Sequence, residues 1–67
     1  MKKYVLVSVG TGLVVFDTDD YELAFEVKKE RTAATHDVYV VVDKDTMDYY
    51  SYKGKIDGVW SGKLSTK

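Results

Sequence analysis

The sequence contains no cysteine, no proline and a single histidine, His36. Without cysteine there is no disulfide staple and no thiolate metal site. One histidine excludes a multi-histidine metal centre within one chain. Without proline, no edge strand is protected by that residue. A surplus of one charge is also missing. Ten Lys and Arg stand against eleven Asp and Glu, for a net charge of -1. That balance supplies no general attraction to nucleic acid or to a membrane surface. No apolar run approaches the roughly 20 residues of a membrane span. The basic start, Met1-Lys2-Lys3, leads into a short β-branched run broken by Gly10 and Gly12. A secretory leader needs a longer apolar stretch and a small-residue cleavage site. The expected location is therefore cytoplasmic.

What is present fits one small domain spanning residues 1–67. A chain of 67 residues lies near the lower limit for independent folding. Its hydrophobic fraction of 45% is ordinary for a globular protein and too high for disorder. With no staple available, such a chain depends on a well-packed core, on self-association, or on both.

The pattern along the chain predicts ββαβββ. Tyr4 to Val9 is rich in valine and reads as a strand. Gly10-Thr11-Gly12 is a hairpin connection, and Leu13 to Phe16 is the second strand. Asp17-Thr18-Asp19-Asp20 announces a helix from Asp20 to Ala33 or Ala34, with Asp19 as cap and Glu22 completing a capping box. Leu23, Ala24, Val27, Arg31 and Ala34 share one side of that helix, with Tyr21 and Phe25 on its flank. Asp37 to Val42, Met47 to Tyr52 and Lys55 to Trp60 are three further strands, joined by turns at Asp43–Thr46 and Lys53-Gly54. Residues 61–67 are polar and are expected to fray as a tail. Short loops join all adjacent strands, so the pairings are antiparallel. The fold class is α+β, two layers, one helix on one face of the sheet.

Opposed hairpin residues point to the same side of a sheet. Lys44-Asp45 as a two-residue loop sets Val42 against Met47 and Val40 against Tyr49. A four-residue loop leaves the same facing, whereas a three-residue loop inverts it. Lys53-Gly54 as the next loop sets Tyr49 against Gly58 and Met47 against Trp60. One face then collects Val38, Val40, Val42, Met47, Tyr49, Ile56 and Trp60, joined by Val5, Val7 and Val9. This is the face the helix is expected to cover. The other face collects Tyr4, Leu6, Tyr39, Val41, Tyr50 and Tyr52. Tyrosine is a favoured interface residue, so this uncovered face is the expected surface for a dimer or a partner protein. Tyr21 and Phe25, one turn apart, are expected to tuck over the sheet edge as satellite core, or otherwise to form an exposed aromatic pair that joins that surface. The plainer reading is a solvated sheet face, since tyrosine is also a good strand former whose cross-strand pairs stabilise a sheet alone.

Motifs for chemistry are weak. Gly10-Thr11-Gly12 lacks the third glycine and the following helix of a phosphate loop. The acidic groups Asp17, Asp19, Asp20, Glu22 and Asp43, Asp45, Asp48 lack the glycine and glutamate of a calcium loop, and capping and turn chemistry account for them. His36 has no nearby serine or cysteine nucleophile and reads as a loop residue. No catalytic residue, metal or cofactor is expected. Tyrosines on an open sheet can stack single-stranded bases, but Asp37, Asp48 and Asp57 dilute that face, so nucleic acid is the secondary alternative.

The short N-terminal hairpin, the capped helix DTDDYELAFEVKKE and the segment VYVVVDKDTMDYYSYKGK together resemble, in size and layout, small phage-encoded inhibitors of host defence, including certain anti-CRISPR proteins. What the resemblance implies is a non-enzymatic protein, often a homodimer, that binds and occludes a larger host protein. It carries no functional residue over.

Overall fold

The structure, a computed structural model, describes residues 1–65. Five strands and one helix follow in the order β1 (Tyr4–Ser8), β2 (Val14–Thr18), α1 (Tyr21–Thr35), β3 (Tyr39–Asp43), β4 (Asp48–Tyr50) and β5 (Gly58–Val59). The strands form one antiparallel sheet in the order β2-β1-β3-β4-β5, with α1 packed on one face. The α+β two-layer class expected from the sequence is the class observed. β1, β3 and β4 are inner strands, and both faces of β1 and β3 are covered. Val5, Leu6, Val7, Val41 and Val42 are all fully buried. This is why their runs are continuously apolar, where a half-solvated strand would alternate. Each such side chain stabilises the fold by roughly 1.5–3 kcal/mol relative to exposure.

The hairpin registers follow the sequence pattern closely. Tyr49 lies opposite Gly58 in the β4–β5 pair, as expected, and the ring sits over the missing side chain. A Cβ on Gly58 would lie 3.4 Å from the Tyr49 ring edge. The β3–β4 pair is shifted by two residues from the two-residue-loop reading, with Val42 opposite Tyr49. The connection is the longer one, Lys44 to Met47, closed by the Met47 amide donating to the Asp43 carbonyl at 2.6 Å. A shift of two preserves the facing of every side chain. In the first hairpin, Leu6 lies opposite Phe16 and Val7 opposite Val14, so Val15 is an extra, bulged residue. The bulge lets Val14 face one side while Val15 and Phe16 both pack on the other.

The helix cap is Asp20, one residue later than expected, and its carboxylate accepts from the Leu23 amide at 3.2 Å. Asp19 instead accepts from the Lys3 amide at 3.0 Å and Asp17 from the Lys2 amide at 2.8 Å. These acids tether the N-terminus, and β2 runs on to Thr18 rather than stopping at Phe16. His36 ends the helix in the left-handed conformation (φ 58°), donating its amide to the Thr32 carbonyl. The expected loop role of this histidine takes the specific form of a helix stop.

The main correction concerns which face the helix covers. α1 lies over Leu6, Tyr39 and Val41, not over the valines. β2 and β3 both run antiparallel to β1, so they are parallel to each other and α1 is a crossover connection between them. Such connections are right-handed, and that handedness puts the helix on the tyrosine side. α1 is correspondingly rotated. Ala24 is buried, Phe25 and Val27 pack on the sheet, and Leu23 is left exposed.

The valine face is covered by the chain's own C-terminal segment. Trp60 and Leu64 pack on Val5, Val7, Val40 and Val42, together with Val14, Met47 and Tyr49. The segment leaves the β5 edge, where the Trp60 amide donates to the Met47 carbonyl at 2.7 Å. It reaches the opposite edge, where the Val14 amide donates to the Ser65 carbonyl at 2.8 Å. Residues 61–65, expected to fray, thus form a strap between the two sheet edges. Positions 66 and 67 of that expected tail lie outside the described residues.

Candidate interaction surfaces

The residues expected to form an open tyrosine face are brought together, but beneath the helix. Leu6, Tyr39 and Val41 are buried and present no surface to a partner. Tyr4, Tyr21, Phe25 and Tyr50 are half-buried and form a chain of edge-on ring contacts. Ring centroids are 5.4 Å apart for Tyr4 and Tyr21, 5.0 Å for Tyr21 and Phe25, and 6.0 Å for Phe25 and Tyr50. Edge-on geometry sets the positive rim of one ring against the negative face of the next. Burial, followed by the neighbouring Tyr21, raises the Tyr50 phenol above its ordinary value and keeps it neutral. The hydroxyls reach outward to partners. Tyr21 accepts from the Gly54 amide at 2.6 Å, and Tyr39 shares a hydrogen bond with Thr35 at 3.1 Å. Of the eight residues, only Tyr52 is largely exposed, at 72%.

Tyr52 stands at one wall of a groove between α1 and the β4–β5 hairpin, about 470 Å³ in volume. Its apolar floor comes from Phe25 and Ala33, and Lys28, Lys29 and Lys53 stand around it. The Lys28 ammonium lies 5.9 Å from the Tyr52 ring centre, a cation–π distance. Lys53 pairs with Glu22, a residue outside the groove lining. Nearby, Asp57 accepts from the Ser51 amide at 2.5 Å. Hydrogen bonding to the Ser51 side chain first, and then to this amide, lowers the Asp57 carboxyl from its ordinary value, with Lys55 and Lys28 adding to the effect.

A second groove, about 390 Å³, opens on the valine face where the strap does not reach. Val9, Val38 and Val59 stand around it, 48%, 62% and 67% exposed, and Val40, Tyr49 and Trp60 form its base. The sequence placed Val9 and Val38 in the core, and Ile56 with them. All three are exposed because α1 lies on the other side. Among the described residues, no charged side chain lines this groove. The Trp60 indole N–H is buried and has no hydrogen-bond partner among them.

Among the described residues there is no group of three or more His, Asp or Glu placed to hold a metal ion. No described helix is long and apolar enough to cross a membrane. Comparison of the chain with protein-family models, curated proteins and solved structures finds no match.

Sequence reasoning missed both grooves. The signal for the valine groove was available in the crossover rule, which would have moved the helix off Val38. The lysine groove had a fainter one. Lys28 and Lys29 follow Phe25 by about one turn, so they project from the same side of the helix.

Proposed function

We propose that the chain is a non-enzymatic protein-binding module that works as a homodimer, with the valine groove as the contact between copies. The observation that carries this reading is the cluster of Val9, Val38 and Val59, exposed around a groove that no charged side chain lines among the described residues. A two-fold contact sets a patch against its own copy, so any charge on it meets the same charge. An uncharged patch meets no such penalty, and burying exposed valines is favourable at about 25 cal/mol per Å². A domain of this size also gains from a partner that enlarges its core. Occlusion of a larger host protein, the action implied by the likeness to small phage-encoded inhibitors, is the use we propose for the dimer.

Sedimentation equilibrium tests the dimer. The wild type is expected to sediment at twice the 7.6 kDa chain mass. Val38→Asp and Val59→Asp are expected to sediment as monomers with unchanged helical ellipticity, since both side chains are exposed in the single chain. A wild type that stays monomeric across the accessible concentration range ends the reading.

A further inference from the structure

We propose that the lysine-edged groove beside α1 binds a short acidic segment of a partner protein, seating one apolar side chain between Phe25 and Tyr52. The site is separate from the valine groove and does not depend on dimer formation. Three features of the groove select this occupant. First, the chain as a whole carries -1, yet this groove is lined by three lysines and, among the described residues, by no carboxylate. The local excess of positive charge is complementary to an acidic segment, and like-charge partners are suppressed. Second, the floor is apolar, so a charged segment without an anchor leaves it unfilled. At about 470 Å³ the groove has the volume of a small binding pocket. Third, one of the three lysines, Lys53, already holds a carboxylate, that of Glu22, which lies outside the groove lining. Both side chains of that pair are exposed, and exposed ion pairs contribute little. A carboxylate of the partner can therefore take the place of Glu22 at small cost.

The other occupants fit less well. A second copy would bring the same lysines face to face across the two-fold axis. A nucleic acid strand would require stacking platforms for successive bases, and of the rings at this groove only Tyr52 is largely exposed.

A peptide array probed with the labelled full chain tests the proposal. The array carries heptapeptides with three or more acidic residues and one aromatic or branched residue, matched neutral and basic sets of equal apolar content, and acidic peptides without the apolar residue. The chain is expected to select the first set. Lys28→Glu/Lys29→Glu is expected to lose at least about tenfold in binding to the selected peptides, and Tyr52→Ala to lose the preference for an apolar residue. Lys29→Glu alone, at an exposed position, is expected to show the loss in part. Its unchanged ellipticity separates lost binding from lost folding. Equal retention of acidic and neutral sets overturns the proposal. So does displacement of the peptides by a twelve-nucleotide oligothymidine at a lower concentration than unlabelled peptide requires, because that outcome assigns the groove to nucleic acid.

Discussion

The two faces of the sheet are built from alternate residues of the same strands, yet they are closed by different means. On the helix side, Leu6 and Val41 lie beneath Ala24, and edge-on rings from Tyr4, Tyr21, Phe25 and Tyr50 fill the seam. On the other side, Val5, Val7, Val40 and Val42 are covered by Trp60 and Leu64 from an irregular strap. A helix repeats its contacts every turn and protects a whole face. A strap covers only where it passes, and what it misses stays exposed at Val9 and Val38. The comparison teaches that tyrosine content alone does not mark a binding surface. Apart from Tyr52, the tyrosines here are buried or half-buried, and the exposed apolar side chains include Val9, Val38 and Val59.

The largest expected effect tests whether the two faces stand or fall together. Leu6→Ala should cost roughly 2–5 kcal/mol through lost burial and a residual cavity. Val7→Ala, on the strap side, should cost about 2 kcal/mol. If the sheet couples its faces, ellipticity at 222 nm and Trp60 fluorescence will lose structure at one common denaturant midpoint in both variants. Separated midpoints would show that the strap side opens independently. A smaller effect isolates the strap. Leu64→Ala should cost about 1–2 kcal/mol and red-shift Trp60 emission in the native state, with the helix signal unchanged. An unshifted emission spectrum would show that Leu64 does not shield the indole. Smallest is Tyr21→Phe. It keeps the ring contacts and removes the acceptor for the Gly54 amide, for about 1 kcal/mol. Faster exchange of the Gly54 amide proton would locate the loss.

Much of the sheet was legible because side-chain alternation has a period of two. Val40 with Val42, and Tyr39 with Val41, had to share faces whatever the loop length, provided its parity held. Gly58 beneath Tyr49 could be paired from the Lys53-Gly54 turn alone. The side taken by the helix was not legible from hydrophobicity. Tyrosine rings bury as well as valines when their hydroxyls find an outlet, as those of Tyr21 and Tyr39 do. The strap was illegible for another reason. Trp60 could be set on the valine face from the Lys53-Gly54 turn, but Leu64 is an isolated apolar residue among polar ones, with no helical or strand period to announce it. Both candidate grooves lie at the margins of these two misread elements, so neither was visible before the helix and the strap were placed.

The hydrogen bond between Val14 and Ser65 also sets an order in time. It joins the start of the second strand to a residue made about fifty positions later. A nascent chain emerges N-terminal end first. The helix side can assemble once β4 has left the ribosome, because α1, its sheet contacts and Tyr50 are then all present. The valine side has to wait for Ser65, and until that residue is free its valines remain uncovered during synthesis.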